Sequence, residues 1–128
     1  MTTATRYFTP SEAKSTLPLV KKIVKDILDT SREMRLTAET LDDEYIKYDP
    51  QIKKMSDDIN GFIAELEEIG CFYKDWNFTI GLVDFPAFID NQEVMLCWRS
   101  DEDEIMFYHG VDEGYAGRKP IPEDLLNS

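Results

Sequence analysis

Five residues in the second half of the sequence carry side chains suited to binding or proton transfer: Asp84, Arg99, Glu102, His109 and Arg118. His109 is the only histidine of the chain, and its imidazole could transfer a proton near neutral pH or bind a metal ion. Carboxylates and imidazole are common ligands of divalent cations, so Asp84, Glu102 and His109 form a hypothetical metal site. Arg99 and Arg118 could hold an anionic substrate, because guanidinium groups donate paired hydrogen bonds to anions.

These residues also have structural interpretations, and the sequence leaves the choice open. Arg99 beside Asp84 and Glu104 would make an ordinary cross-strand ion-pair cluster, which contributes a few tenths to about 1 kcal/mol per pair. A hydrogen bond at a strand end is the simpler role for His109, since a lone histidine without a paired nucleophile makes no triad.

Two further features carry little chemistry of their own. The four consecutive acids at 101–104 lack the alternating spacing and the glycine of an EF-type calcium loop, so a solvated turn is the simpler interpretation. Cys71 and Cys97 have no metal-binding or redox spacing. Cys97 is therefore interpreted as a small buried side chain and not as a nucleophile.

Two helices precede these residues. The segment 9–12 (Thr-Pro-Ser-Glu) reads as a capping box, and apolar residues spaced by three and four predict helix one over 9–48. Asp49, followed by proline, predicts a break and a new N-cap, and helix two then covers 50–69 and ends at Gly70. The short connection predicts a long antiparallel helical hairpin with coiled-coil-like packing.

Residues 79–109 change to an alternating pattern, which predicts a three-stranded antiparallel β-meander with turns at 90–91 and 100–103. Pairing about these turns gives one continuous apolar face, predicted to cover the base of helix one. Its residues are Val83, Phe85, Ala87, Ile89, Val94, Leu96, Trp98, Ile105 and Phe107. The same pairing places Asp84 and His109 on opposite faces, which argues against a single site.

The prediction is therefore one α+β domain over 1–128, with the base of the helical hairpin packed on the three-stranded meander and an irregular tail over 110–128. The second face of the meander is mixed, with several apolar side chains among charged ones. Exposed apolar patches usually mark contacts, so a homodimer through this face is a hypothesis.

Composition limits the partners. The net charge of -12 disfavours binding to nucleic acid and to anionic membranes, since both need a basic surface. No apolar run approaches the ~20 residues that span a bilayer, and the N-terminus does not resemble a secretion signal, so we expect a cytoplasmic protein. A non-enzymatic protein-interaction module is the favoured function. The alternative is a metal-binding protein or small enzyme that uses the five residues above.

Six short motifs are spread along the chain: YFTPSEA at 7–13, LPL at 17–19, GLVDFP at 81–86, VMLCWR at 94–99, YH at 108–109 and GYAGR at 114–118. Together they resemble a bacterial family known as domain of unknown function 2203. The resemblance covers nearly the whole chain and implies an architecture, but no established activity, cofactor or partner. The family pattern has a Gly-Glu pair after its Cys-Trp strand and a Tyr-Trp-His strand end, where this chain has Asp101-Glu102 and Phe107-Tyr108-His109. Glu102 and His109 therefore match the pattern.

Overall fold

The structure is a computed structural model that describes residues 5–128. It is an α+β fold with helices in the first half of the chain and a five-stranded antiparallel sheet in the second half. Residues 1–4, part of the N-terminal stretch considered above for a secretion signal, lie outside the described residues. No helix within residues 5–128 combines the length and the apolar character that crossing a membrane requires.

The first helix, α1, covers Pro10–Ala38 and begins at the predicted capping box. The Thr9 hydroxyl accepts a hydrogen bond from the Glu12 N–H, and the Glu12 carboxylate accepts one from the Thr9 N–H. Two backbone donors that a helix start would leave unpaired are thereby satisfied.

The predicted extension of helix one to residue 48 is wrong. The helix ends at Ala38, and a separate four-residue helix, α2, follows at Asp43–Ile46. The change is local: the Thr40 N–H and hydroxyl both donate to the Thr37 carbonyl, at 3.1 and 2.7 Å. Hydrogen bonds to the third residue back tighten the chain and replace the α-helical pattern, although apolar spacing continues beyond this point.

The third helix, α3, covers Pro50–Ile69 and packs against α1. The Asp49 carboxylate accepts from the N–H groups of Gln51 and Ile52, as expected of an N-cap. Gly70 ends the helix with φ of 110°, in the left-handed region that favours glycine.

The sheet has five strands where three were predicted, and neighbours along the chain are neighbours in the sheet. The two unpredicted strands have two residues each and lie at the edges, so they are too short for an alternating pattern to indicate them. The strands are β1 (Phe72–Tyr73), β2 (Leu82–Ile89), β3 (Gln92–Arg99), β4 (Phe107–Gly110) and β5 (Lys119–Pro120).

The hairpin of β2 and β3 has the predicted register, with Ile89 opposite Gln92 and Val83 opposite Trp98. Its turn residues Asp90 and Asn91 both have positive φ, 52° and 65°. Two such residues suit the right-handed twist of a two-residue hairpin turn.

The predicted register of β3 and β4 is wrong by one residue. Met95 lies opposite His109, and Leu96 lies opposite Tyr108. The sequence prediction assumed a tight turn at 100–103, but an irregular loop continues to Met106 and includes Ile105, which is buried although it belongs to no strand. A shift of one residue exchanges the two faces of a strand, so His109 moves to the face that carries Asp84.

The inner face of the sheet packs on α1 and α3 in one core. α1 lies directly on the sheet: a Cβ at Gly81 would come within 2.2 Å of Val24 Cγ1. Phe8 joins the same core through an edge-to-face contact with Phe85, at 5.3 Å between ring centroids. The buried inner residues of β2 and β3 are Val83, Phe85, Ala87, Ile89, Val94, Leu96 and Trp98.

Candidate functional site

The outer face of the sheet brings three reactive side chains together. Asp84 and Cys97 are direct partners across β2 and β3, and His109 lies opposite Met95, two residues from Cys97 on the same face. All three residues are buried, and one ligand atom from each lies within 4.8 Å of the others. The expectation that Asp84 and His109 lie on opposite faces is thus corrected.

The neighbours of the His109 ring determine which of its two nitrogens carries the proton. Nδ1 lies 2.9 Å from the Gly110 carbonyl oxygen, which can only accept, so we assign the proton to Nδ1. Nε2 lies 3.1 Å from both carboxylate oxygens of Asp84. A neutral imidazole would then direct a lone pair at a carboxylate, and a proton or a metal cation must lie between them.

Burial controls the protonation of the other two members. Burial raises the pKa of the Asp84 carboxyl above its ordinary value, and the His109 imidazole opposes that shift. Burial, together with the negative charge of Asp84, raises the pKa of the Cys97 thiol to about 12. An unassisted Cys97 therefore stays protonated at neutral pH, and a thiolate at this position requires a cation.

The three residues do not form a nucleophilic triad. Cys97 lies opposite Asp84 across β2 and β3, whereas a catalytic cysteine needs a base such as histidine to take its proton. His109 Nε2, the nitrogen that such a base would use, faces the Asp84 carboxylate. The arrangement is better suited to hold a cation.

A pocket of about 270 Å³ opens over the three side chains. Its floor contains Asp84, Cys97 and His109, so these buried groups still border open space. The remaining lining residues are Lys74, Leu82, Met95, Val111, Glu113, Gly114 and Tyr115.

Glu102 is not part of this group, which corrects its prediction as a metal ligand. Its Oε1 accepts from Arg118 Nη2 at 2.6 Å and from the Arg99 N–H at 2.8 Å. The same Arg118 nitrogen donates to the Cys97 carbonyl at 3.1 Å, and its guanidinium stacks on Phe107. The ion pair is mostly buried and ties the C-terminal segment to the strand that carries Cys97.

Arg99 lies outside the pocket, and its guanidinium is used within the chain. It forms a two-pronged ion pair with Asp101 and donates to the Tyr115 hydroxyl. The predicted partner Glu104 instead lies 3.8 Å from Lys14, so the expected cross-strand cluster with Arg99 does not form. Neither predicted arginine has its charge free to bind an anion inside the pocket.

Two residues that line the pocket were missed by sequence analysis. Cys97 was dismissed for lack of a spacing motif, yet the correct β2–β3 register already placed it opposite Asp84. Lys74 follows the short strand β1 and gave no signal, because two residues cannot show alternation. Pairing partners across a hairpin are thus a better guide to a site here than linear spacing.

No curated protein and no solved structure matches this chain significantly. A family model described as "Uncharacterized conserved protein (DUF2203)" matches residues 6–121. That range contains the helices α1, α2 and α3 and the strands β1 to β5. The chain therefore belongs to the DUF2203 family of uncharacterised conserved proteins.

Proposed function

We propose that this protein binds one divalent transition-metal ion, with zinc as the best fit, through Asp84, Cys97 and His109. The observation that carries the proposal is the orientation of His109: Nδ1 is committed to the Gly110 carbonyl and Nε2 faces the Asp84 carboxylate. Histidines that bind metals commonly donate their other ring N–H to a backbone carbonyl in this way.

The donor set favours zinc over calcium or magnesium. Thiolate and imidazole suit zinc and similar borderline ions, whereas the harder cations take oxygen ligands. Tetrahedral zinc would separate the imidazole nitrogen and the carboxylate oxygen by about 3.3 Å. The distance of 3.1 Å between those atoms is close to that value.

Catalytic zinc sites typically have three protein ligands, whereas structural zinc sites usually have four. The pocket above Asp84, Cys97 and His109 provides space for a fourth ligand that the chain does not supply. The function supported best is therefore a metal site that presents an open coordination position to a small molecule.

Cobalt binding tests the proposal, since Co²⁺ accepts zinc ligands and reports a coordinated thiolate by charge-transfer absorption. We expect chelator-treated, reduced protein to bind one Co²⁺ per chain with this absorption, and zinc to displace the cobalt. Cys97→Ser should abolish the charge-transfer band, and His109→Ala should weaken binding strongly.

Cys71→Ser is the matched control. Cys71 is also fully buried, but its thiol donates to the Leu66 carbonyl and lies outside the cluster. This variant should keep the absorption band. Absence of the band in the parent protein, or a band that survives Cys97→Ser and disappears in Cys71→Ser, would reject the site.

A protein-interaction module, with a second copy of this chain as the partner, is the second candidate. It is supported by exposed apolar side chains where α1 ends and α3 begins: Leu36, Tyr45 and Tyr48 are 56%, 58% and 74% exposed. Such a surface is compatible with metal binding elsewhere. Light scattering across a hundredfold range of micromolar concentrations tests self-association, and a constant monomer mass would argue against the homodimer.

A further inference from the structure

The rim of the pocket carries a cation without an internal partner. The Lys74 N–H donates to the Leu82 carbonyl, which continues the β1–β2 pairing by one residue and puts Lys74 on the face of Asp84. Within residues 5–128, the Lys74 ammonium makes no ion pair and no hydrogen bond. Its nearest aromatic contact is the Phe72 ring, at 6.0 Å.

The acidic residue on the rim is already compensated. Glu113 accepts from the Gly110 N–H at 3.0 Å, and its carboxylate lies 4.0 Å from Lys119 Nζ. Among the described residues Glu113 forms no ion pair with Lys74, although both side chains line the pocket.

Tyr115 adds a second donor to the rim. Its hydroxyl oxygen accepts from Arg99 Nη1, which leaves the hydroxyl proton free to donate to another group. The side chain lines the pocket and is 42% exposed.

The charges around the pocket predict the charge of a ligand at the open metal position. A divalent ion with one carboxylate, one thiolate and a neutral imidazole has no net charge. With the Glu113 charge balanced by Lys119, the ammonium of Lys74 then leaves the pocket with one positive charge. A negatively charged ligand would neutralise that charge and receive hydrogen bonds from Lys74 and Tyr115.

We propose that the pocket binds a small oxyanion, a carboxylate or a phosphate group, at the open metal position, with Lys74 and Tyr115 as its protein contacts. This inference rests on the proposed metal site and adds the chemical class of its ligand. The oxyanion would lie at the floor of the pocket, between the metal and the Lys74 ammonium.

The test uses full-length protein loaded with stoichiometric Co²⁺. Titration with sodium acetate and, separately, with inorganic phosphate should change the visible cobalt spectrum with saturation, while sodium chloride at equal ionic strength should not. The acetate and phosphate arms distinguish a carboxylate from a phosphoryl ligand. Lys74→Gln should weaken the preferred oxyanion by about ten- to a hundredfold, the range for a hydrogen bond to a charged group.

Lys54→Gln is the control for net charge, because Lys54 lies on α3 in an exposed pair with Asp58. It should leave oxyanion binding unchanged. Cobalt that binds normally but ignores both anions, or equal oxyanion affinity in Lys74→Gln and the parent, would overturn this inference and leave the metal site standing. Failure to bind cobalt would reject the metal site itself.

Discussion

The two faces of the sheet are built from alternate residues of the same strands, yet they bury different chemistry. On the inner face, Phe85 and Trp98 are 0% and 1% exposed and belong to the apolar core, with the Trp98 Nε1–H donating to the Glu102 carbonyl. On the outer face, Asp84, Cys97 and His109 are 4%, 1% and 4% exposed. The second set is thus covered almost as completely as the first.

The difference shows which face is explained by stability. Burying apolar area stabilises the fold at about 25 cal/mol per Å², so the inner face needs no other reason. Burying an ionisable pair loses solvation that its attraction does not reliably recover, and apolar replacements are often neutral or better. The polar outer cluster is therefore not explained by stability alone, and it is the face for which we propose a function.

The largest expected effect is on the inner face. Phe85→Ala should lower the free energy of unfolding by about 3–5 kcal/mol, because it removes a fully buried ring and leaves a cavity. Urea unfolding followed by circular dichroism measures the change. A loss below about 1 kcal/mol would mean that Phe85 does not anchor the core. Stability would then not explain the burial of the inner face.

A smaller effect is expected for Arg118, whose ion pair with Glu102 holds the C-terminal segment against the sheet. Arg118→Met should cost about 2–3 kcal/mol, because it keeps the packing on Phe107 but leaves the Glu102 carboxylate partly buried without its cation. The matched control is Arg99→Met, which should cost clearly less because the Arg99–Asp101 pair is more exposed. Equal losses in urea unfolding would show that the tail pair is no more than a surface contact.

Replacing the buried Asp84–His109 pair by apolar residues tests whether the outer cluster contributes to stability. The double variant Asp84→Leu, His109→Phe should have a metal-free unfolding free energy within about 1 kcal/mol of the parent, or higher, since both members of the buried pair are replaced together. The same variant should lose cobalt binding. A large loss of stability without metal would show that the cluster supports the fold and weaken the argument for function.

Local signals in the sequence predicted the helix starts well and the first helix end poorly. Thr9 and Asp49 cap helices through hydrogen bonds to the next few residues, which a sequence displays directly. The end of α1 at Ala38 depends on hydrogen bonds of Thr40, while apolar spacing continues through Leu41 and Tyr45. Periodicity therefore overestimated the helix.

Of the five residues chosen from the sequence, the structure brings only Asp84 and His109 into the buried cluster. Asp84 and His109 could be chosen from chemistry alone, but their proximity depends on the length of an irregular loop that ends at Met106. Glu102 was chosen for its carboxylate and proves to be paired with Arg118. Pairing of that kind joins segments distant in the sequence, and spacing does not reveal it.

The smallest effect is expected for Phe88, which lies on the same strand as Phe85. Phe88 lies three residues from Phe85 on the opposite face and is 54% exposed, with its ring 4.5 Å from that of Tyr7. Phe88→Ala should cost less than about 1 kcal/mol in urea unfolding at low micromolar concentration, because it removes one partly exposed aromatic contact. Light scattering on the same samples tests whether a second copy covers this face. A loss near that of Phe85→Ala, together with a dimer mass that falls to the monomer in the variant, would mean that the outer face is buried in an assembly and that the two faces are less different than the single chain indicates.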